Sequence, residues 1–174
     1  NKFLGRRFGI HQGSKVRVID DCTCCGLNLT VGLHEKFKLH AIDFLAAIMG
    51  HAFRTCPPGF IPAVKGRTYD LKSAYKQFAV SEGDRNTLRM GVNVPGQEAH
   101  AVIGFNSLPF GAVGSVAGFL RVSQALWYIG YFGLGLLWSA FYDDFTLLTR
   151  AELEQNSSWA CESLFSLLGM RYAT

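Results

Sequence analysis

Phe141-Tyr142-Asp143-Asp144-Phe145 sets two adjacent carboxylates between apolar runs. The run before it, Tyr131 to Tyr142, is uncharged and rich in Leu, Phe and Trp; the run after it is Phe145-Thr146-Leu147-Leu148-Thr149. Two strand-like runs separated by a pair of residues read as a β-hairpin, and Asp tolerates the left-handed backbone that tight turns need. A plain Asp-Asp turn is one reading. The other follows from repulsion: neighbouring carboxylates are costly to bury unless a cation sits between them, and a hard divalent metal is such a cation. That second reading requires a third carboxylate elsewhere, and groups that hold phosphate.

The bulk properties set limits. The 174 residues, 49% hydrophobic and 17% charged, suffice for one globular domain or two small lobes. A net charge of +4 permits a nucleic-acid partner without demanding one. Cys22, Cys24 and Cys25 are too bunched for a C-x-x-C metal knuckle, and five cysteines read as reduced thiols of an intracellular protein, with disulfides as the alternative. Residues Asn1–Arg7 lack the apolar segment of a signal peptide, and the absent initiator Met suggests a fragment. Val122 to Tyr142 is uncharged and long enough to span a bilayer, but Gly130, Gly133, Gly135, Ser123, Gln124 and Ser139 interrupt it. A buried helix running into a buried strand accounts for the same composition.

Outward from the hairpin, Leu153–Leu168 is expected to be an amphipathic helix, with Trp159, Leu164, Leu167 and Leu168 as its apolar face and Gly169 as its stop. Val113–Tyr128 reads as a helix, small-residue-rich at its start, and Leu108-Pro109-Phe110-Gly111 as a fixed loop before it. Thr87–Val94 and Ala99–Phe105 read as strands. Thr68–Leu71 is a short strand ending at Asp70, followed by a helical turn over 72–78. Apolar residues from Phe37 to Ala52 recur at helical spacing, which predicts a helix over about 33–53, closed by Pro57-Pro58-Gly59. Lys15–Asp20 alternates as a half-exposed strand with Lys15 and Arg17 on one face, and 22–32 reads as loop. Antiparallel strands backed by helices give an α+β fold with acidic residues at one sheet edge.

In order along the chain, Asp70-Leu71-Lys72-Ser73-Ala74-Tyr75-Lys76-Gln77, Leu108-Pro109-Phe110-Gly111 and Phe141-Tyr142-Asp143-Asp144 resemble motifs A, B and C of reverse transcriptases. The flavour is that of retrotransposon enzymes, whose second motif continues with a Phe and an Arg, here Phe119 and Arg121. Lys15–Asp21 with Leu27-Asn28 resembles the preceding fingers motif, and Gly169-Met170 the start of motif D. A lone Asp-Asp is a weak signal; ordered motifs spanning nearly the whole chain are a strong one.

The resemblance implies a right-hand polymerase fold, mainly fingers over about 1–66 and mainly palm over about 67–174, with fingers strands interleaved. It implies RNA-directed DNA synthesis from dNTPs on a primed RNA or DNA template, with two Mg²⁺ ions or Mn²⁺ in their place. Asp70 and Asp143 would bridge the ions, with Asp144 beside them and the Leu71 carbonyl as a further ligand. Such chemistry is an in-line displacement at phosphorus served by two metals about 4 Å apart. Tyr75 matches the aromatic that leaves no room for a 2′-hydroxyl, and Phe110 and Gly111 would line the nucleotide pocket. Lys15 and Arg17 match the cations on the incoming triphosphate, for which the planar fork of Arg is suited. Gln77 and Arg121 match template or pocket contacts. Each has a plainer reading: Asp70 as a helix cap, Tyr75 as a core aromatic, Lys15 and Arg17 as a solvated face.

The chain departs from the family in places. The partner of Arg17 is open between Asp20 and Asp21, the lysine of motif D is not reached, and thumb, ribonuclease H and integrase regions are not in this sequence. The rival functions are a catalytically inactive nucleic-acid-binding relic and a small membrane protein built on Val122–Tyr142.

Overall fold

The computed structural model describes residues 4–94, 96 and 99–173. In chain order the elements are β1 (Leu4–Gln12), β2 (Lys15–Asp21), α1 (Ile42–Arg54), β3 (Val64–Leu71), α2 (Glu82–Arg85), β4 (Arg89–Asn93), β5 (His100–Gly104), α3 (Val113–Tyr128), β6 (Leu137–Phe141), β7 (Asp144–Arg150), α4 (Glu154–Leu167) and β8 (Tyr172–Ala173). The strands form two four-stranded sheets, ordered β2-β1-β4-β5 and β6-β7-β3-β8. The fold is mixed α and β. Two compact units result, one of residues up to Lys36 with Ser73–Phe119, the other of Phe37–Lys72 with the chain from Leu120 on. This cuts the sequence differently from a division at 66: residues 37–66 go with the carboxylate sheet, and 73–119 with the N-terminal hairpin.

In the carboxylate unit all three strand pairings are antiparallel. Alternation sorts its side chains. Tyr69 and Leu71 of β3, Phe145 and Leu147 of β7, and Trp138 and Ala140 of β6 are buried. Phe165 of α4 meets Trp138, Phe145 and Tyr69 at ring-centroid distances of 6.0, 5.5 and 5.8 Å. These aromatics pack helix to sheet, the burial of each contributing about 2–3 kcal/mol. The helix ends as expected at Gly169, whose φ is +67°. Gly169 N–H donates to the Ser166 carbonyl and Met170 N–H to that of Phe165, closing the helix in a Schellman motif.

The other unit is built on a β1–β2 hairpin that turns at Gly13, φ +58°. Here β1 also runs parallel to β4 over Leu4–Arg6, and β4 pairs with β5 antiparallel. Strand β1 was not expected, because Gly5 and Gly9 weaken any strand pattern. Gly5 is needed: a Cβ there would run into Met90 and the Asp21 carbonyl. Opposed across the hairpin, Arg7 grips the buried Asp20 through Nε (2.6 Å) and Nη2 (3.1 Å), while Arg6 Nε donates to Asp21 at 3.1 Å. Asp20 and Asp21 thus pair with Arg7 and Arg6, and the pairing expected for Arg17 does not form with either.

Two other expectations are corrected. Helix α1 starts at Ile42, not near 33, because residues up to 41 leave the helical path and His40 bonds to β6 instead. The buried face of α4 is Ser158, Cys161, Leu164 and Phe165, whereas Trp159 is 73% and Leu167 84% exposed. Spacing of three and four from Cys161 places those two a quarter-turn or more off the sheet. Over Val122–Tyr142 a helix runs into a strand as expected: the end of α3, a π-helical turn over Ile129–Gly133, and β6. No helix among the described residues is long and apolar enough to cross a membrane. All five cysteines are free; burial pushes the Cys22 thiol up to about 11 and that of Cys161 to about 12.

Candidate active site

Motif residues far apart in sequence meet at one end of the antiparallel sheet. Asp70 on β3 lies directly opposite Asp144 on β7, and Phe141 of β6 is opposite Asp144 on the other side. Directly opposed residues share a face with Cβ atoms about 4.5–5.5 Å apart. That face is the one turned away from the aromatic core, so Asp70 and Asp144 are both exposed, with Thr68 and Thr146 beside them. Asp143 sits in the two-residue turn between β6 and β7, half-buried, and its carbonyl accepts from Leu71 N–H at 3.0 Å. The Leu71 side chain is in the core, leaving only its main chain to serve a ligand.

Electrostatics mark the cluster. Desolvation raises the Asp143 pKa above its ordinary value; its own backbone N–H opposes that, and the charges of Asp144 and Asp70 add to the rise. Asp144 is likewise raised, by desolvation and then by Asp70. Burial and mutual repulsion both disfavour the ionised forms, the condition that a bound cation relieves.

The turn is held by residues that carry no motif signature. Ser123 of α3 donates through Oγ to the Tyr142 carbonyl at 2.8 Å. This steadies a non-glycine residue at φ +53°. Trp127 Nε1 donates to the Trp138 carbonyl at 2.8 Å, and Trp138 Nε1 returns a bond to the Trp127 carbonyl at 3.1 Å. A Cβ on Gly130 would collide with the Trp138 indole, so the glycine lets the chain pass close over the ring. The only sequence signal for these was a small or amphipathic residue in an otherwise apolar run.

The residues matched to nucleotide binding fall in the hairpin unit, Arg121 excepted. Tyr75 is half-buried, stacked on Phe119 at 4.8 Å and edge-on to the exposed Phe110 at 5.4 Å. Gly111 has φ +112° and packs on the Asp20 carbonyl so closely that no side chain fits. Asn28 clamps this loop: Nδ2 donates to the Gly111 carbonyl at 3.0 Å and Oδ1 accepts from Val113 N–H at 2.9 Å. The Phe110–Gly111 loop therefore rests on the C-terminal end of β2, the strand that carries the exposed Lys15 and Arg17. Gln77 closes the 3-10 turn Ala74–Gln77, half-buried, and Arg121 lies on α3.

The oxygen donors suit a hard divalent cation in kind. In arrangement they fall short of a finished site: among the described residues no three His, Cys, Asp or Glu side chains converge to hold an ion. No protein-family model matches the chain, and no curated protein matches it.

Proposed function

We propose that the chain is the fingers and palm portion of an RNA-directed DNA polymerase of retroelement type, adding dNTPs to a primer on an RNA or DNA template. The observation that carries this reading is the pairing of Asp70 with Asp144 beside Asp143. Folding joins the carboxylates of two separate motifs at one strand end, where a nucleotidyl transferase needs them. Asp70, Asp143 and Asp144, with the Leu71 carbonyl, are the residues assigned to two Mg²⁺ ions. When bound, those ions supply charge stabilisation for attacking and leaving oxygens. Tyr75, stacked on Phe119, is assigned the exclusion of ribonucleotides, and Phe110 and Gly111 the wall of the nucleotide pocket. Lys15 and Arg17 are assigned the triphosphate, and Gln77 a template or pocket contact.

Primer extension on an RNA template, with and without Mg²⁺, is the test. Incorporation should require the metal and fall at least a hundredfold in Asp143→Asn. Extension that survives this substitution, or proceeds without a divalent ion, refutes the assignment. A second reading, a nucleic-acid-binding domain without metal chemistry, is favoured by the absence of a converged three-ligand group among the described residues. Mn²⁺ titration separates the two: binding that Asp70→Asn abolishes favours the polymerase, and nucleic-acid binding with no Mn²⁺ uptake favours the second.

A further inference from the structure

Strand β6 is an edge strand, and edge strands present unpaired N–H and C=O groups along their outer side. At Ala140 both groups are satisfied by one residue from outside the sheet. The backbone N–H of His40 donates to the Ala140 carbonyl at 3.3 Å, and Ala140 N–H donates to His40 Nδ1 at 3.2 Å. His40 thus imitates the two-bond exchange of a neighbouring strand, with its imidazole taking the acceptor's part. Because Nδ1 accepts, the ring is neutral and carries its proton on Nε2. The ring is fixed on both sides, stacked on Phe44 of α1 at 4.0 Å and 14° and set edge-on to Trp127 at 4.5 Å. Trp127 in turn bonds the Trp138 carbonyl, the next outward carbonyl along the same strand edge. Gln124 of α3 adds a longer bond to the Lys38 carbonyl, at 3.4 Å. Downstream of Ala140 come Phe141, Tyr142 and the carboxylate turn.

We propose that His40 is a positioning residue whose neutral imidazole completes the outer edge of β6 and so holds the turn bearing Asp143 and Asp144, and that acid releases it. Protonated Nδ1 becomes a donor facing another donor, Ala140 N–H, so the bond is replaced by a repulsive contact. Burial lowers the His40 pKa from its ordinary value of 6.5. The charged and imidazole residues of the elements packed against the ring are Asp43, His51 and Arg54 on α1 and Arg121 on α3, with Lys38 on its own segment; β6 has none. Desolvation is the cause of the shift. With a lowered folded-state value, the clamp's contribution to stability is complete above pH 6.5. It declines as the unfolded state takes up its proton, and is lost by the lowered folded value.

The consequence for the carboxylates rests on the polymerase reading, whereas the clamp itself does not, so the test reads the clamp directly. Hydrogen exchange of the Ala140 amide in the full chain, corrected for the intrinsic pH dependence, should show protection at pH 8 that falls at least tenfold by pH 5. His40→Asn keeps an acceptor in place of Nδ1 without a titrating group, and should abolish the pH step while retaining protection. His40→Phe keeps the stacking and loses the acceptor, and should be unprotected at both values. Imidazole ¹⁵N shifts of the unsubstituted chain should report the Nε2–H tautomer at pH 8. Flat protection across the range, His40→Phe protected like the parent, or an Nδ1–H tautomer overturns the proposal. Where primer extension is observed, its acid limb should be flattened by His40→Asn. Absence of extension counts against the polymerase reading alone, since the exchange result stands without it.

Discussion

The carboxylate sheet fully buries Trp138, Tyr69, Phe145 and Phe165, whereas the β1–β2 hairpin leaves Phe8, Ile10, Val16 and Val18 each more than 40% exposed. Both sheets have four strands, so strand number is not what separates them. One has a helix whose aromatic residue closes over its inner face; the other relies at its hairpin end on cross-strand pairs such as Arg7 with Asp20. Burial of this kind fixes register and strand ends, which paired carboxylates require. A hairpin solvated on both faces has fewer contacts to lose when it opens, which places it at the low-stability end of the molecule.

This contrast can be broken experimentally. Phe165→Ala should cost about 3–5 kcal/mol in urea unfolding, the range for emptying a large aromatic site. Phe8→Ala should cost under about 0.5 kcal/mol, the range for surface positions. Equal effects would show that the exposed hairpin is covered by something in solution. Gly130→Ala should destabilise by about 3 kcal/mol, because the added methyl meets the Trp138 ring where both backbone and indole are pinned. Asp20→Asn should cost about 2 kcal/mol through the loss of two charge-assisted bonds to Arg7. If it costs nothing, the pair does not hold the hairpin.

Asp143→Asn sharpens the comparison in the opposite direction, since it should stabilise the metal-free protein, raising Tm at pH 7 by about 1–3 °C. The sign follows from the raised pKa values of Asp143 and Asp144. The folded state binds these protons more tightly than the unfolded state does, so the penalty is complete at neutral pH. It is relieved as pH falls through the raised folded value, and is gone below the ordinary value of 3.8. The gain from Asp143→Asn should therefore shrink steadily from pH 7 toward pH 4 in thermal melts. A gain that grew on acidification would mean that repulsion and desolvation are not what burdens the turn.

Several features were legible in the sequence because they depend on local rules. The runs Thr68–Leu71 and Phe145–Thr149 were read as strands, and they lie in β3 and β7. Gly169 marked the end of α4, and Asp143-Asp144 marked the hairpin. The start of α1 was not legible, since the helical spacing from Phe37 is real and only the bonding of His40 to Ala140 draws that segment away. Trp159 was placed in the core because hydrophobicity was read without phase; its neighbour Ser158 is the buried one. At the candidate site, the carboxylates and Tyr75 were visible by motif. Ser123 and Trp127 were not, because their work is done through hydrogen bonds to main-chain carbonyls distant in sequence, which leave no pattern in residue type.

The sequence by itself determined which residues carry charge, which runs could be strands or helices, and the order in which the acidic motifs occur. These follow from side-chain chemistry and from periods of two and 3.6 residues, both properties of short segments. Only the tertiary structure decided that Asp70 stands across from Asp144, that Arg7 rather than Arg17 answers Asp20, and that His40 closes the edge of β6. Register and edge capping are fixed by the joint burial of Tyr69, Phe145, Trp138 and Phe165, and burial is a property of several segments at once.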